Sequence, residues 1–135
     1  MSSNQSTKLL RAAPYFPVPD VERSMNFYDQ VLGFRCEYSA GVPLQFAICS
    51  RDGLPVMLRR VDDSAVVVPN EKQGGTWDAF FWVNDADALH SELSAKGADI
   101  AYGPLIQESY RMREFAVRDS DGHVLGFGQA LDDQG

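Results

Sequence analysis

The sequence holds only two cysteines, Cys36 and Cys49, and only two histidines, His90 and His123. Neither cysteine belongs to a Cys-x-x-Cys pair or a Cys/His cluster, so no structural zinc site is suggested. With no disulfide framework to suggest an oxidising compartment, a reducing cytoplasm is the expected location and both thiols are expected free. Basic residues are also scarce. Twelve Lys and Arg against nineteen Asp and Glu leave a net charge of −7. That balance disfavours nucleic acid and anionic membranes as partners, because both need a basic footprint. No apolar run approaches membrane-spanning length. The first residues are polar and lack the apolar core of a signal peptide. No Gly-rich phosphate loop and no Gly-x-Ser-x-Gly elbow occur.

What is present is enough for one domain. The chain has 135 residues, of which 44% are hydrophobic, sufficient for a core without disulfide staples. Residues 1–8 read as a loose arm, and 9–18 as a first strand, made irregular by prolines that cannot donate to a ladder. Asp20 is placed to cap a helix over 20–32, whose buried stripe is Val21, Met25, Tyr28 and Leu32, with Gly33 as the stop. Strands follow at 34–39, 44–50 and 54–61, with Asp52-Gly53 in the last turn. Residues 62–75 lose periodicity and read as a connection. The pattern then restarts: strand 76–83, Asp85 capping a helix over 85–96, and a short strand 99–102. A closing hairpin of 112–118 and 123–129 is joined through Asp121-Gly122.

The restart can be counted. Val18-Pro19-Asp20 matches Val83-Asn84-Asp85 at an offset of 65, and Asp52-Gly53 matches Asp121-Gly122 at 69. An internal repeat of this kind predicts an α+β fold of two βαβββ modules, the first over about 9–61 and the second over about 76–130. On the closing hairpin Phe115, Val117, Leu125 and Phe127 share one face. Glu114, Ala116, Val124, Gly126 and Gly128 share the other. The small residues on that second face suggest the floor of a cavity.

The run Arg113-Glu114-Phe115-Ala116-Val117-Arg118-Asp119-x-Asp121-Gly122 resembles the C-terminal hairpin of the vicinal oxygen chelate superfamily. That group includes glyoxalase I, extradiol dioxygenases, and fosfomycin- and bleomycin-resistance proteins. A second signature, Val18-Pro19-Asp20-Val21-Glu22-Arg23-Ser24-Met25-Asn26-Phe27-Tyr28 closing with Val31-Leu32-Gly33-Phe34, is similar to the front of the same family. The bleomycin-resistance branch is the most similar. The resemblance implies two modules side by side in a curved mixed sheet around a shared cavity, and a homodimer. It also places the family's four metal-ligand positions at Ala13, Met57, Asp78 and Gly126. Only Asp78 could hold a hard cation there, so no metal and no other cofactor is expected, and the Lewis-acid chemistries of the family are set aside.

Alternation anchored on those four positions puts Tyr15, Met57, Arg59, Asp78, Phe80, Trp82 and Glu114 on the cavity face, beside Gly126 and Gly128. Tyr110 precedes the hairpin where relatives carry a ligand-stacking aromatic. Rings with a few charges among them describe a small-molecule pocket, although the same rings would also serve core or dimer packing. The expected function is metal-free binding of a small aromatic or cationic compound, as in antibiotic resistance, with no catalytic residue assigned. The alternative is a metal-independent or atypical lyase or isomerase using Asp78 or Glu114 as general acid/base.

Overall fold

The computed structural model describes residues 6–132; the first five residues of the expected N-terminal arm lie outside the described residues. The order of elements is β1 (Tyr15–Val18), α1 (Val21–Gln30), β2 (Arg35–Ala40), β3 (Phe46–Arg51), β4 (Leu54–Arg60), β5 (Ala79–Trp82), α2 (Ala86–Ala95), β6 (Asp99–Gln107), β7 (Met112–Arg118) and β8 (Val124–Ala130). Two single 3-10 turns, Ser64–Val66 and Asn70–Gln73, occupy the connection between modules. The strands form two separate four-stranded sheets, ordered β1-β4-β3-β2 and β5-β8-β7-β6. Within each, the first strand runs parallel to the last and the other pairs are antiparallel. The two expected βαβββ modules are these two sheets, each with its helix, and the sheets do not close on each other.

Both modules use one register. Tyr15 pairs with Met57 in the first sheet and Phe80 with Gly126 in the second. Those partners are related by the sequence offsets of 65 and 69. The helices begin as their caps dictate. The Asp20 side chain accepts from the Arg23 amide and the Asp85 side chain from the Ala88 amide, each satisfying one of the otherwise unpaired first-turn N–H groups. In the Asp52-Gly53 turn both residues take positive φ, 53° and 80°, the requirement of a two-residue hairpin. The second turn differs. Asp119 N–H donates to the His123 carbonyl and Gly122 N–H to the Asp119 carbonyl, so three residues form the loop, with Gly122 at φ 90°.

Three strand boundaries depart from expectation. The first strand begins only at Tyr15. The Pro14 carbonyl still accepts from the Met57 amide, but proline has no N–H with which to continue the ladder. β5 covers Ala79–Trp82 rather than 76–83. The strand expected to stop at Tyr102 runs on to Gln107. Gly103 and Pro104 read as a breaker, yet the strand passes through them by shifting register between Tyr102 and Leu105. Gly103 sits at φ 86°, where an added Cβ would lie 2.5 Å from the Glu114 carbonyl oxygen.

The expectation of free thiols is also overturned. β2 and β3 pair with Cys36 directly opposite Cys49, and the two sulfurs form a disulfide. Thirteen residues separate them in sequence, and only the strand register reveals that they meet.

A continuous core spans both modules. It is threaded by rings: Tyr28 to Phe34 at 5.7 Å, Phe34 to Phe81 at 5.9 Å, Phe81 to Phe127 at 5.5 Å and Phe127 to Phe115 at 5.3 Å. Beside it lies a buried polar joint. The Asp119 carboxylate accepts from the Tyr28 hydroxyl at 2.7 Å and from the backbone N–H groups of Asp121 and His123 at 2.9 Å each. The His123 ring stands 3.0 Å from the same carboxylate and stacks on Phe16 at 4.3 Å. Ser24 and Arg23 of α1 both donate to Asp121. A buried carboxylate without such donors would cost several kcal/mol. Here module one supplies the phenol and module two the acid.

Burial by itself would lower the His123 pKa. The bond to Asp119 and the charges of Asp119, Asp78 and Asp121 outweigh burial and leave it raised above the ordinary histidine value. A pKa raised on folding contributes stability that is fully present below the unfolded value, about 6.5, and is lost as pH rises through the folded value. Urea midpoints followed from mildly acidic to mildly alkaline pH should therefore fall, and His123→Gln should flatten that slope. An unchanged slope in H123Q would show that another group carries it.

Candidate ligand-binding face

The open face of the second sheet follows from alternation. Phe81, Phe115, Val117, Leu125 and Phe127 turn toward α2 and the core. Phe80, Trp82, Glu114, Gly126 and Gly128 turn the other way. The glycines were expected to leave an open floor. They instead admit rings. A Cβ at Gly126 would meet Trp77 and Phe80 at 2.7 Å, and one at Gly128 would meet Met112 at 2.5 Å and Phe80 at 2.6 Å. The sheet is paved with aromatic side chains lying flush against its backbone. Trp77 and Phe80 meet edge to face at 4.7 Å, and Phe80 and Trp82 at 5.1 Å.

Glu114 is wholly buried beside this pavement. The Tyr110 hydroxyl donates to it at 2.7 Å, and the Tyr102 hydroxyl donates through a short bond. Tyr102 in turn accepts from the Trp77 indole N–H at 2.8 Å. Among the described residues the partners of this carboxylate are thus two phenols and no cation. Desolvation first, then the bond to Glu114, pushes the Tyr110 pKa up to about 12. The same two causes raise Tyr102, although the Trp77 bond opposes them. Both phenols therefore stay protonated and donating at any physiological pH. Sequence reading found Glu114 and Tyr110 but missed Tyr102 and the polar role of Trp77. Glu114 and Tyr102 are not direct register partners, since Tyr102 pairs with Ala116 and Leu105 with Glu114. The register shift between Ile100 and Tyr102 sets the phenol opposite Ala116 instead of Phe115, on the face that carries Glu114, and no residue pattern announces it.

The remaining candidates fall into two further groups. Tyr15, Met57 and Arg59 share the open face of the first sheet, with the Arg59 guanidinium carbon 5.6 Å from the Tyr15 ring centre. Asp78, Phe80 and Trp82 line a cleft of about 540 Å³ with Ala12, Ala13, Pro14 and Leu54, at the junction of the modules. Asp78 has a structural job there. One oxygen accepts from the Asn70 amide at 2.9 Å and the other from the Val124 amide at 2.8 Å, fastening the connection to the start of β8. Both of its oxygens are thus engaged by backbone amides. His90 leans on Phe115 at 5.2 Å from α2, and His123 is buried in the joint rather than exposed in a turn.

The chain matches the model of the Glyoxalase/Bleomycin resistance protein/Dioxygenase superfamily over residues 9–127. It belongs to that superfamily. Among solved structures it is similar to TioX from Micromonospora sp. ML1, with 26% identity, 90% of this chain and 99% of that one covered, and a TM-score of 0.71. It is also similar to the bleomycin-binding protein of Streptomyces verticillus, solved with copper(II)-bleomycin, at 25% identity, 94% and 100% coverage and a TM-score of 0.67. A curated relative, probable beta-glucosidase G of Neosartorya fischeri, is 32% identical over 92 residues, which are 65% of this chain and 11% of that much longer protein. At the four positions that the resemblance assigns to metal ligands, the donor set does not fit a catalytic ion. Ala13 and Gly126 have no side-chain donor, Met57 offers a thioether, and both oxygens of Asp78 are engaged by backbone amides.

The phenol network has its own test. Alkaline titration followed by tyrosinate absorbance should show Tyr110 ionising near 12, and Glu114→Gln should return it toward the ordinary value of about 10. Equal titration curves for the two proteins would mean the Tyr110–Glu114 bond does not form in solution.

Proposed function

We propose that this protein is a metal-free small-molecule-binding protein that sequesters an aromatic or cationic compound without converting it, in the manner of an antibiotic-resistance protein. The observation that supports this most directly is the pavement itself. Trp82 is 70% and Tyr110 47% exposed on a face whose buried acid, Glu114, is solvated by phenols alone. Exposed rings offer stacking and cation–π attraction of roughly 0.5–2 kcal/mol per contact. A ligand donor that displaces Tyr110 from Glu114 gains a charge-assisted hydrogen bond, and the net negative charge of the chain speeds the approach of cations. The name of the Streptomyces verticillus relative, a bleomycin-binding protein, accords with this class of ligand.

The alternative is a lyase or isomerase in which Glu114 exchanges a proton with substrate. The chain of bonds Trp77–Tyr102–Glu114 favours it, since it holds the acid in one orientation. Fluorescence of Trp77 and Trp82 against shape-matched aromatic compounds of different charge separates the readings. Binding should favour the cationic members, and the ligand should be recovered intact. Glu114→Gln should weaken them about tenfold, near 1.4 kcal/mol, and leave neutral members almost unaffected. A converted product would select the enzyme, and preference for anions would overturn both the face and the acid.

A homodimer is part of the same proposal. Tyr15, Tyr38, Trp82 and Tyr110 are exposed on the two open sheet faces, and pairing faces about a twofold axis buries such surface. Light scattering at micromolar concentration should return twice the chain mass. The monomer mass would confine the ligand site to one chain.

A further inference from the structure

We propose a second binding site, for a flat aromatic monocation, in the cleft between the modules on the helix side of the second sheet. The cleft is about 490 Å³, within the roughly 300–1,000 Å³ of small-molecule pockets. Its base is apolar: Phe34, Phe81, Phe127, Leu89 and Leu93. Phe81 and Phe127 lie on the opposite side of the sheet from Gly126, Gly128 and Glu114; Trp82 and Leu54, at the edge, border both this cleft and the one described above.

At the positions that border the cleft, Leu93 and Ala88 of the second helix are smaller than their counterparts in the first, Tyr28 and Arg23, although Leu89 is larger than Ser24. Val21, Ser24, Tyr28 and Leu32 of the first module correspond, at the offset of 65, to Ala86, Leu89, Leu93 and Gly97. Tyr28 fills its end of the core completely, whereas Leu93 cannot reach as far. Ala88 adds only a methyl where the helix borders the cleft.

The rim supplies the charge. Arg51 makes a two-pronged pair with Glu92 of α2, at 2.7 and 2.8 Å, and donates to the Leu32 carbonyl at 2.9 Å. This strap crosses from one module to the other and holds the cleft at a set width. Its closeness also requires Gly33, where a Cβ would sit 2.8 Å from the guanidinium. The lining carries Asp52, Asp85 and Glu92 against the single cation Arg51, a surplus of two negative charges over an aromatic floor. An anion is repelled there, and a planar ring system bearing one positive charge meets both requirements.

The test uses protonated aminoacridine and neutral acridine near neutral pH, with calorimetry and amide chemical shifts on the full chain. The cation should perturb the amides of Ala88, Leu89 and Glu92 and bind at least tenfold more tightly than acridine. Ala88→Phe, which fills the cleft from an exposed helix position, should weaken it at least tenfold. In Glu114→Gln the cation, titrated against the amides of Ala88, Leu89 and Glu92, should give the same midpoint as in the unaltered chain, whatever is lost at the open face. If Ala88→Phe has no effect while Glu114→Gln abolishes binding, or if shifts appear only around Glu114 and Tyr110, the cleft is not a site. Equal affinity for the neutral ring would overturn the role of the rim charges. Because each variant touches a different side of the sheet, failure here leaves the reading of the open face standing, and the reverse also holds.

Discussion

The carboxylate of Asp119 is the group on which the arrangement of the two modules depends. It has no water to solvate it, so the protein must provide every donor, and the donors come from both halves of the chain. Remove the Tyr28 hydroxyl and a buried acid loses a bond it cannot replace, at a cost of roughly 1–3 kcal/mol. The same hydroxyl is protonated firmly, because burial and the neighbouring acids push its pKa well above the ordinary tyrosine value. Apolar contact holds the modules together, but it tolerates sliding. A hydrogen bond of 2.7 Å to a fixed oxygen does not. The joint therefore sets the position of one sheet against the other, and with it the width of every cleft between them.

Glu114 shows the same physics turned to another use. Asp119 is satisfied by rigid backbone groups and by elements buried on all sides. Glu114 is satisfied by two phenols, one of which, Tyr110, is half in solvent at the end of a loop. A donor at the surface is displaced at less cost than one packed in the core, which is why the proposed ligand role falls to Glu114 and not to Asp119.

Much of this was legible in the residues. The caps Asp20 and Asp85, the two Asp-Gly turns and the repeat offsets of 65 and 69 are local chemistry, and each specifies its element without help from elsewhere. The alternation that placed Phe80, Trp82 and Glu114 on one face is equally local. What could not be read depends on distant partners. Asp78 carries the same side chain whether it faces a ligand or two amides, and only the fold of the 62–78 connection decides. Cys36 and Cys49 meet because of a strand register. Tyr102 reaches Glu114 because the β6–β7 ladder slips by a step between Ile100 and Tyr102. Glycines at 126 and 128 read as open room above the sheet, and the protein's own side chains occupy it.

Those glycines carry a further consequence. Their register equivalents in the first sheet are Met57 and Arg59, long flexible side chains beside Tyr15. One scaffold drawn twice therefore presents two unlike surfaces, a hard tiled one and a soft brush. The tiled surface cannot change a single glycine without lifting its rings, so its chemistry is frozen into the backbone. The brush carries no such constraint, so the first sheet can vary its surface while keeping every strand in place.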